Sequence, residues 1–77
     1  MNIRKIIGNN IRDCRAFRGY SQRRLSELAD LNSVYISSVE RGERNITVEN
    51  LVVIATALRI PVHLLLVKDA FSFKASD

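Results

Sequence analysis

Glycine, proline and cysteine are scarce in this 77-residue chain, which holds three, one and one of them and no tryptophan. One cysteine, Cys14, cannot close an internal disulfide, and no CxxC pair or Cys/His cluster offers the spacing of a zinc site. The chain therefore suits a reducing compartment, with Cys14 as an inert buried thiol. His63 is the only histidine, too little for a metal site or a proton relay. A nucleophile with a positioned base, or a carboxylate pair in a cleft, is equally missing. The expectation is a protein without cofactor or metal, and not an enzyme.

Long apolar runs are absent too. The longest, Ile60 to Val67, is broken by Pro61 and His63 and falls far short of the roughly 20 residues that span a bilayer. Met1 to Ile7 leads straight into Gly8-Asn9-Asn10, so the apolar stretch of about 7 to 15 residues that an export signal needs does not form. A cytoplasmic protein with no membrane partner is expected.

What is present is 47% hydrophobic and 26% charged residues, the balance of a chain that folds. A chain this short buries only about 60 to 65% of the surface it exposes when unfolded. One domain fits, and further burial through a homodimer is expected. The net charge of +4 is uneven. Residues 1–24 hold Arg4, Lys5, Arg12, Arg15, Arg18, Arg23 and Arg24 against Asp13 alone, whereas residues 25–77 carry five bases and seven acids. Taken singly, Arg12, Arg18, Arg23 and Arg24 also read as a solvated face; together they suit a polyanion such as DNA.

Apolar residues recur at helical spacing, and no strand is needed. Ile3, Ile7, Ile11 and Cys14 line one face of a first helix that Gly19 ends. Ser21 caps a second helix from Gln22 to about Ala29, with Leu25, Leu28 and Ala29 on its apolar stripe. Asp30, Leu31 and Asn32 form a turn, and Ser33 caps a third helix from Val34 to Arg41, ended by Gly42. Thr47 caps a fourth helix to Leu58, and Pro61 opens a fifth that ends near Val67. The expected fold is all-α: a compact five-helix, repressor-like domain over residues 1–67 and a short tail over 68–77, in which Phe71 and Phe73 alternate with polar residues.

Two short helices joined by a turn of about four residues, as Gln22 to Arg41 offers, make a helix-turn-helix whose second helix enters the major groove. Ser33, Val34, Ser37 and Ser38 form the outer face of that helix. Their small side chains allow close approach to base edges, and Val34 can meet a thymine methyl.

The residues resemble the Cro and phage-repressor type helix-turn-helix proteins, often labelled XRE. The likeness covers about Ile7 to Leu66. It rests on Ile7-Gly8-Asn9-Asn10-Ile11-Arg12 with Arg15, on Gly19-Tyr20-Ser21-Gln22 with Leu25, on Tyr35-Ile36-Ser37, on Val39-Glu40-Arg41-Gly42-Glu43-Arg44-Asn45, and on Ala57-Leu58-Arg59-Ile60-Pro61. Within that family the run from Tyr35 to Ile46 looks most like the controller proteins of restriction-modification systems, dimeric activators and repressors of their own operon.

The resemblance implies that Ser33, Val34, Ser37 and Ser38 read bases. It places Gln22, with its neighbours Ser21 and Arg23, at phosphate, with Tyr35, Arg41, Arg44 and Asn45 flanking the recognition helix. It also implies an ion pair between Arg15 and Glu40. Tyr35 reads as half-buried packing as well. The chain departs from the family at Ser26, where Ala is usual, at Asp30, where Gly is usual, and at Ser33 and Val34, where many relatives carry Arg or Gln. Affinity is then expected to lean on phosphate contacts and DNA shape.

Excess apolar surface at Ile60, Leu64, Leu65, Val67 and Phe71 reads as a two-fold dimer contact. Such a dimer sets two recognition helices roughly 34 Å apart and predicts a pseudo-palindromic operator. The expected partners are double-stranded DNA, a second copy of the chain and, for an activator, RNA polymerase. Two other readings stay open: an antitoxin that binds DNA and a toxin, and a protein adaptor that keeps only the fold.

Overall fold

A computed structural model of the chain describes residues 1–72. Four α-helices run in order as α1 (Ile3–Arg18), α2 (Gln22–Ala29), α3 (Ser33–Glu40) and α4 (Val48–Leu58), followed by a 3-10 helix at Val62–Leu66. Among the described residues there is no strand.

Local chemistry sets the helix ends. The Asn2 side chain accepts from the Lys5 N–H, Ser21 from the Arg24 N–H and Thr47 from the Asn50 N–H, each satisfying an amide that the first turn leaves open. At the far end of α1, Gly19 enters the left-handed region at φ 75°. There its N–H and that of Tyr20 return to the carbonyls of Ala16 and Arg15, which closes the last turn. Asp30 does the same after α2 at φ 54°, a conformation that Asp tolerates better than most residues. Ser26 is buried and its hydroxyl donates to the Arg23 carbonyl at 2.6 Å. Its polar atom is satisfied within its own helix, so both departures from the family pattern fit the fold.

The core gathers Ile7, Ile11 and Cys14 of α1, Leu25 of α2, Ile36 and Val39 of α3, and Leu51, Ile54, Ala55 and Leu58 of α4, with Leu65 beneath them. Burial pushes the Cys14 thiol above its ordinary range, partly opposed by the Arg18 guanidinium. Two residues expected on apolar stripes, Ile3 and Leu28, are exposed instead. Gly8 marks the closest helix approach: a Cβ there would stand 2.5 Å from the Val39 carbonyl oxygen and 2.6 Å from that of Glu40. Only glycine lets α1 press against the end of α3.

Three features differ from those expected. The third helix is capped by Asn32, whose side chain accepts from the Val34 N–H, and Ser33 is already its first residue. The fifth helix is a 3-10 turn, so the fold has four α-helices rather than five. The segment is only five residues long, and its Leu64 and Val67 N–H groups return to the carbonyls of Pro61 and Leu64, three residues back, the bonding of short helical pieces. Buried Asn10 holds its end: Nδ2 donates to the carbonyls of Leu64 at 3.4 Å, Leu65 at 2.9 Å and Val67 at 2.7 Å. Leu65, read as an interface residue, is 0% exposed and has no surface to offer a second chain. The expected tail is described only as far as Ser72, and Phe73 lies outside the described residues.

Candidate nucleic-acid interface

Because Ile36, Val39 and Glu40 turn α3 inward, its other side is free to face solvent. Ser33 is exposed and Val34 is 72% exposed, so neither hydroxyl nor methyls are used by the fold. Ser37 is half-buried and its hydroxyl accepts from Arg41 Nη1; the serine proton remains to be donated. Ser38 differs. Its hydroxyl already donates to the Tyr35 carbonyl at 2.8 Å, leaving it only acceptor capacity toward any ligand.

Cations and hydroxyls flank this face. Arg41 is held along it by Ser37 and by Glu43, whose carboxylate accepts from Arg41 Nε at 2.9 Å. Arg44 lies over the Tyr35 ring, 5.3 Å from its centroid, an attraction of about 0.5 to 1 kcal/mol at an exposed site. The Tyr35 hydroxyl accepts from Asn50 Nδ2 at 3.1 Å. Asn45 is exposed on the same loop. Ser21 keeps its proton after accepting from the Arg24 N–H. Arg23 reaches Glu27 only at 3.5 Å, with its side chain 86% exposed, so this pair restrains it little.

Beneath the face lies a polar cluster. Arg15 donates to Glu40 through Nε at 2.7 Å and Nη2 at 3.0 Å, a two-pronged pair with the carboxylate nearly buried. Gln22 Nε2 donates to the same carboxylate at 3.0 Å. One amide N–H of Gln22 is therefore committed inward, leaving the second for the surface. Arg18, counted among the polyanion-binding bases, caps α4 instead: Nε donates to the Leu58 carbonyl at 2.9 Å and Nη2 to that of Arg59 at 3.2 Å. A cation at the carbonyl end of a helix is favourable.

The expected interface residues separate into two groups. Ile60 and Phe71 are partly buried against this chain's own core, and Leu64 is half-buried. Val67 is 47% exposed and Leu66, within the same expected apolar block, 45%, with Val62 beside them at 36%. Sequence reasoning also assigned no role to Gly8, Asn10 or Asn50. Asn10 did carry a signal, since it sits in register with the apolar face of α1 between Ile7 and Cys14.

Two short helices, with the second laid open along one side and ringed by hydroxyls and guanidinium groups, define a helix-turn-helix protein of the DNA-binding kind. A helix-turn-helix family model matches residues 11–65, and the chain belongs to the XRE-type helix-turn-helix family of transcription regulators. It is 41% identical over 69 residues to the control protein C.SmaI of Serratia marcescens, covering 90% of this chain and 82% of that one. The structure of the restriction-modification controller protein C.AhdI from Aeromonas hydrophila superposes with a TM-score of 0.79 at 37% identity, over 80% of this chain and 94% of that one. The biofilm regulator SinR, solved in complex with DNA, gives a TM-score of 0.76 at 35% identity, covering 79% and 98%. Among the described residues no helix is long and apolar enough to cross a membrane.

Proposed function

We propose that the chain is a homodimeric, sequence-specific regulator of transcription that binds a pseudo-palindromic operator in its own promoter, as the controller of a restriction-modification operon. The exposed outer face of α3, with its guanidinium and hydroxyl flanks, is the observation that carries this reading. Ser33, Val34 and Ser37 meet base edges, with Ser38 as an acceptor behind them, while Ser21, Gln22, Arg23, Tyr35, Arg41, Arg44 and Asn45 meet phosphate. Val34 favours thymine through its methyls, and none of these four side chains makes the two-pronged contact that Arg makes with guanine. Specificity then comes from symmetry and DNA shape as much as from direct contact.

The apolar strip of Val62, Leu66 and Val67, with Leu64 and Ile60 at its edge, supplies the two-fold contact. The likeness to C.SmaI and C.AhdI supports the restriction-modification setting. RNA polymerase is the further partner where the bound dimer activates, and the cytoplasm is the compartment in which all of these meet.

Footprinting on DNA upstream of the gene tests the proposal. The expected result is a protected palindrome with half-sites about one helical turn apart and affinity that falls steeply with salt. Absence of binding to any duplex at low salt would refute it. Leu66→Asp is expected to yield monomers in sedimentation and to abolish the symmetric footprint.

A further inference from the structure

Tyr35, Arg44 and Asn50 come from three different elements and meet at one point, although only the first two figure in the reading above. A phenol oxygen holds one proton and two acceptor positions in the plane of its ring. Asn50 Nδ2 donates into that oxygen at 3.1 Å, so the Tyr35 proton is turned to the opposite side, away from α4. Asn50 is itself fixed: it lies in the first turn of α4, with its backbone N–H bound by the Thr47 side chain at 3.1 Å. Arg44 covers the face of the same ring. Among the described residues it pairs with no carboxylate.

We propose that Asn50 is a positioning residue for DNA binding: by donating to Tyr35 it forces the tyrosine to present a proton, beside the Arg44 cation, to one backbone phosphate. This rests on the DNA-binding reading above. A phosphate only accepts, so an outward proton and an adjacent guanidinium match it, whereas a base edge mixes donors and acceptors. Asn50 does not touch DNA. It sets the polarity of a contact made by another side chain.

Reversing that polarity is the test. Asn50→Asp has nearly the same shape and keeps a hydrogen bond to Tyr35, but as an acceptor it draws the phenol proton inward and away from phosphate. Binding is measured on a mixed-sequence duplex of about 30 base pairs, long enough for two half-sites, for the unmodified chain, Asn50→Asp, Tyr35→Phe and the double variant, with thermal melting alongside. The expected result is a loss of about tenfold or more for Asn50→Asp when Tyr35 is present. In the Tyr35→Phe background only the weak effect of the added charge remains, about twofold.

Equal losses in the two backgrounds overturn the inference, as does undiminished binding by Tyr35→Phe. Should Asn50→Asp fail to melt cooperatively, Asn50→Ala carries the same comparison, with a loss beside Tyr35 and none beside Phe. Failure of the unmodified chain to bind the duplex sinks the DNA-binding reading and this inference with it. Binding with no coupling between the two positions sinks the inference alone.

Discussion

On its inner face α3 carries Ile36, Val39 and Glu40, all buried, and on its outer face Ser33 and Val34, both exposed, with exposed Arg41 just past its end. The polar chemistry of the two faces differs more than their exposure does. Inside, the Glu40 carboxylate is bound by two nitrogens of Arg15 and one of Gln22. Outside, the hydroxyl of Ser33, the methyls of Val34 and the Arg44 guanidinium are left for a ligand. A buried charge must be satisfied by the chain itself or the fold pays heavily, while a reading surface works only if the chain leaves it open. One helix of eight residues thus keeps the groups that the fold uses on one face and leaves those open to a ligand on the other.

That division makes predictions that can break it. The largest effect is expected at Gly8→Val, because the new side chain strikes the carbonyls of Val39 and Glu40; circular dichroism should show a chain that no longer melts cooperatively at room temperature. Next comes Glu40→Ala, which strands Arg15 at a site only 16% exposed and is expected to cost about 3 kcal/mol or more in chemical denaturation. A melting curve like that of the unmodified chain would show that the inner face is not a structural cluster.

On the outer face the order of readouts reverses. Arg44→Ala should leave melting within about 0.5 kcal/mol of the parent while reducing the salt slope of duplex binding by about 0.9, equally on all sequences. Val34→Ala is expected to shift the preferred base at one position by about tenfold or less, read by selection from a randomised duplex pool. If Val34→Ala lowered binding to every sequence alike, the outer face would be a phosphate surface and not a reading one. The remaining check leaves binding aside and is a chemical one at Cys14. Its thiol should react with iodoacetamide at least about a hundredfold more slowly in the folded protein than in denaturant; rapid labelling of the native chain would contradict its place in the core.

Much of this was legible in the residues. Gly19, Ser21, Thr47 and the spacing of Ile7, Ile11 and Cys14 bound α1, α2 and α4 because caps and stripes are local signals. Asn32 and Ser33 are adjacent cap formers, and choosing between them needs the direction in which the chain enters α3. The run of leucines at 64–66 reads as a helix, but its length of five residues gives only a 3-10 turn, and the Asn10 amide that grips its end lies more than fifty residues away in sequence. Leu65 was misplaced because a period cannot say which of three consecutive leucines faces the core. The meeting of Tyr35 with Asn50 has no pattern to announce it. Each lies on a different helix, and only the packed structure joins them.

The first helix touches nearly everything. Gly8 meets α3, Arg15 meets Glu40, Arg18 holds the end of α4, and Asn10 grips the carbonyls of Leu64, Leu65 and Val67. These contacts close over 25, 40 and up to 57 residues of chain. Asn10 therefore ties the far end of the described chain back to α1, and a fragment that stopped before Leu64 would bury its amide without these acceptors.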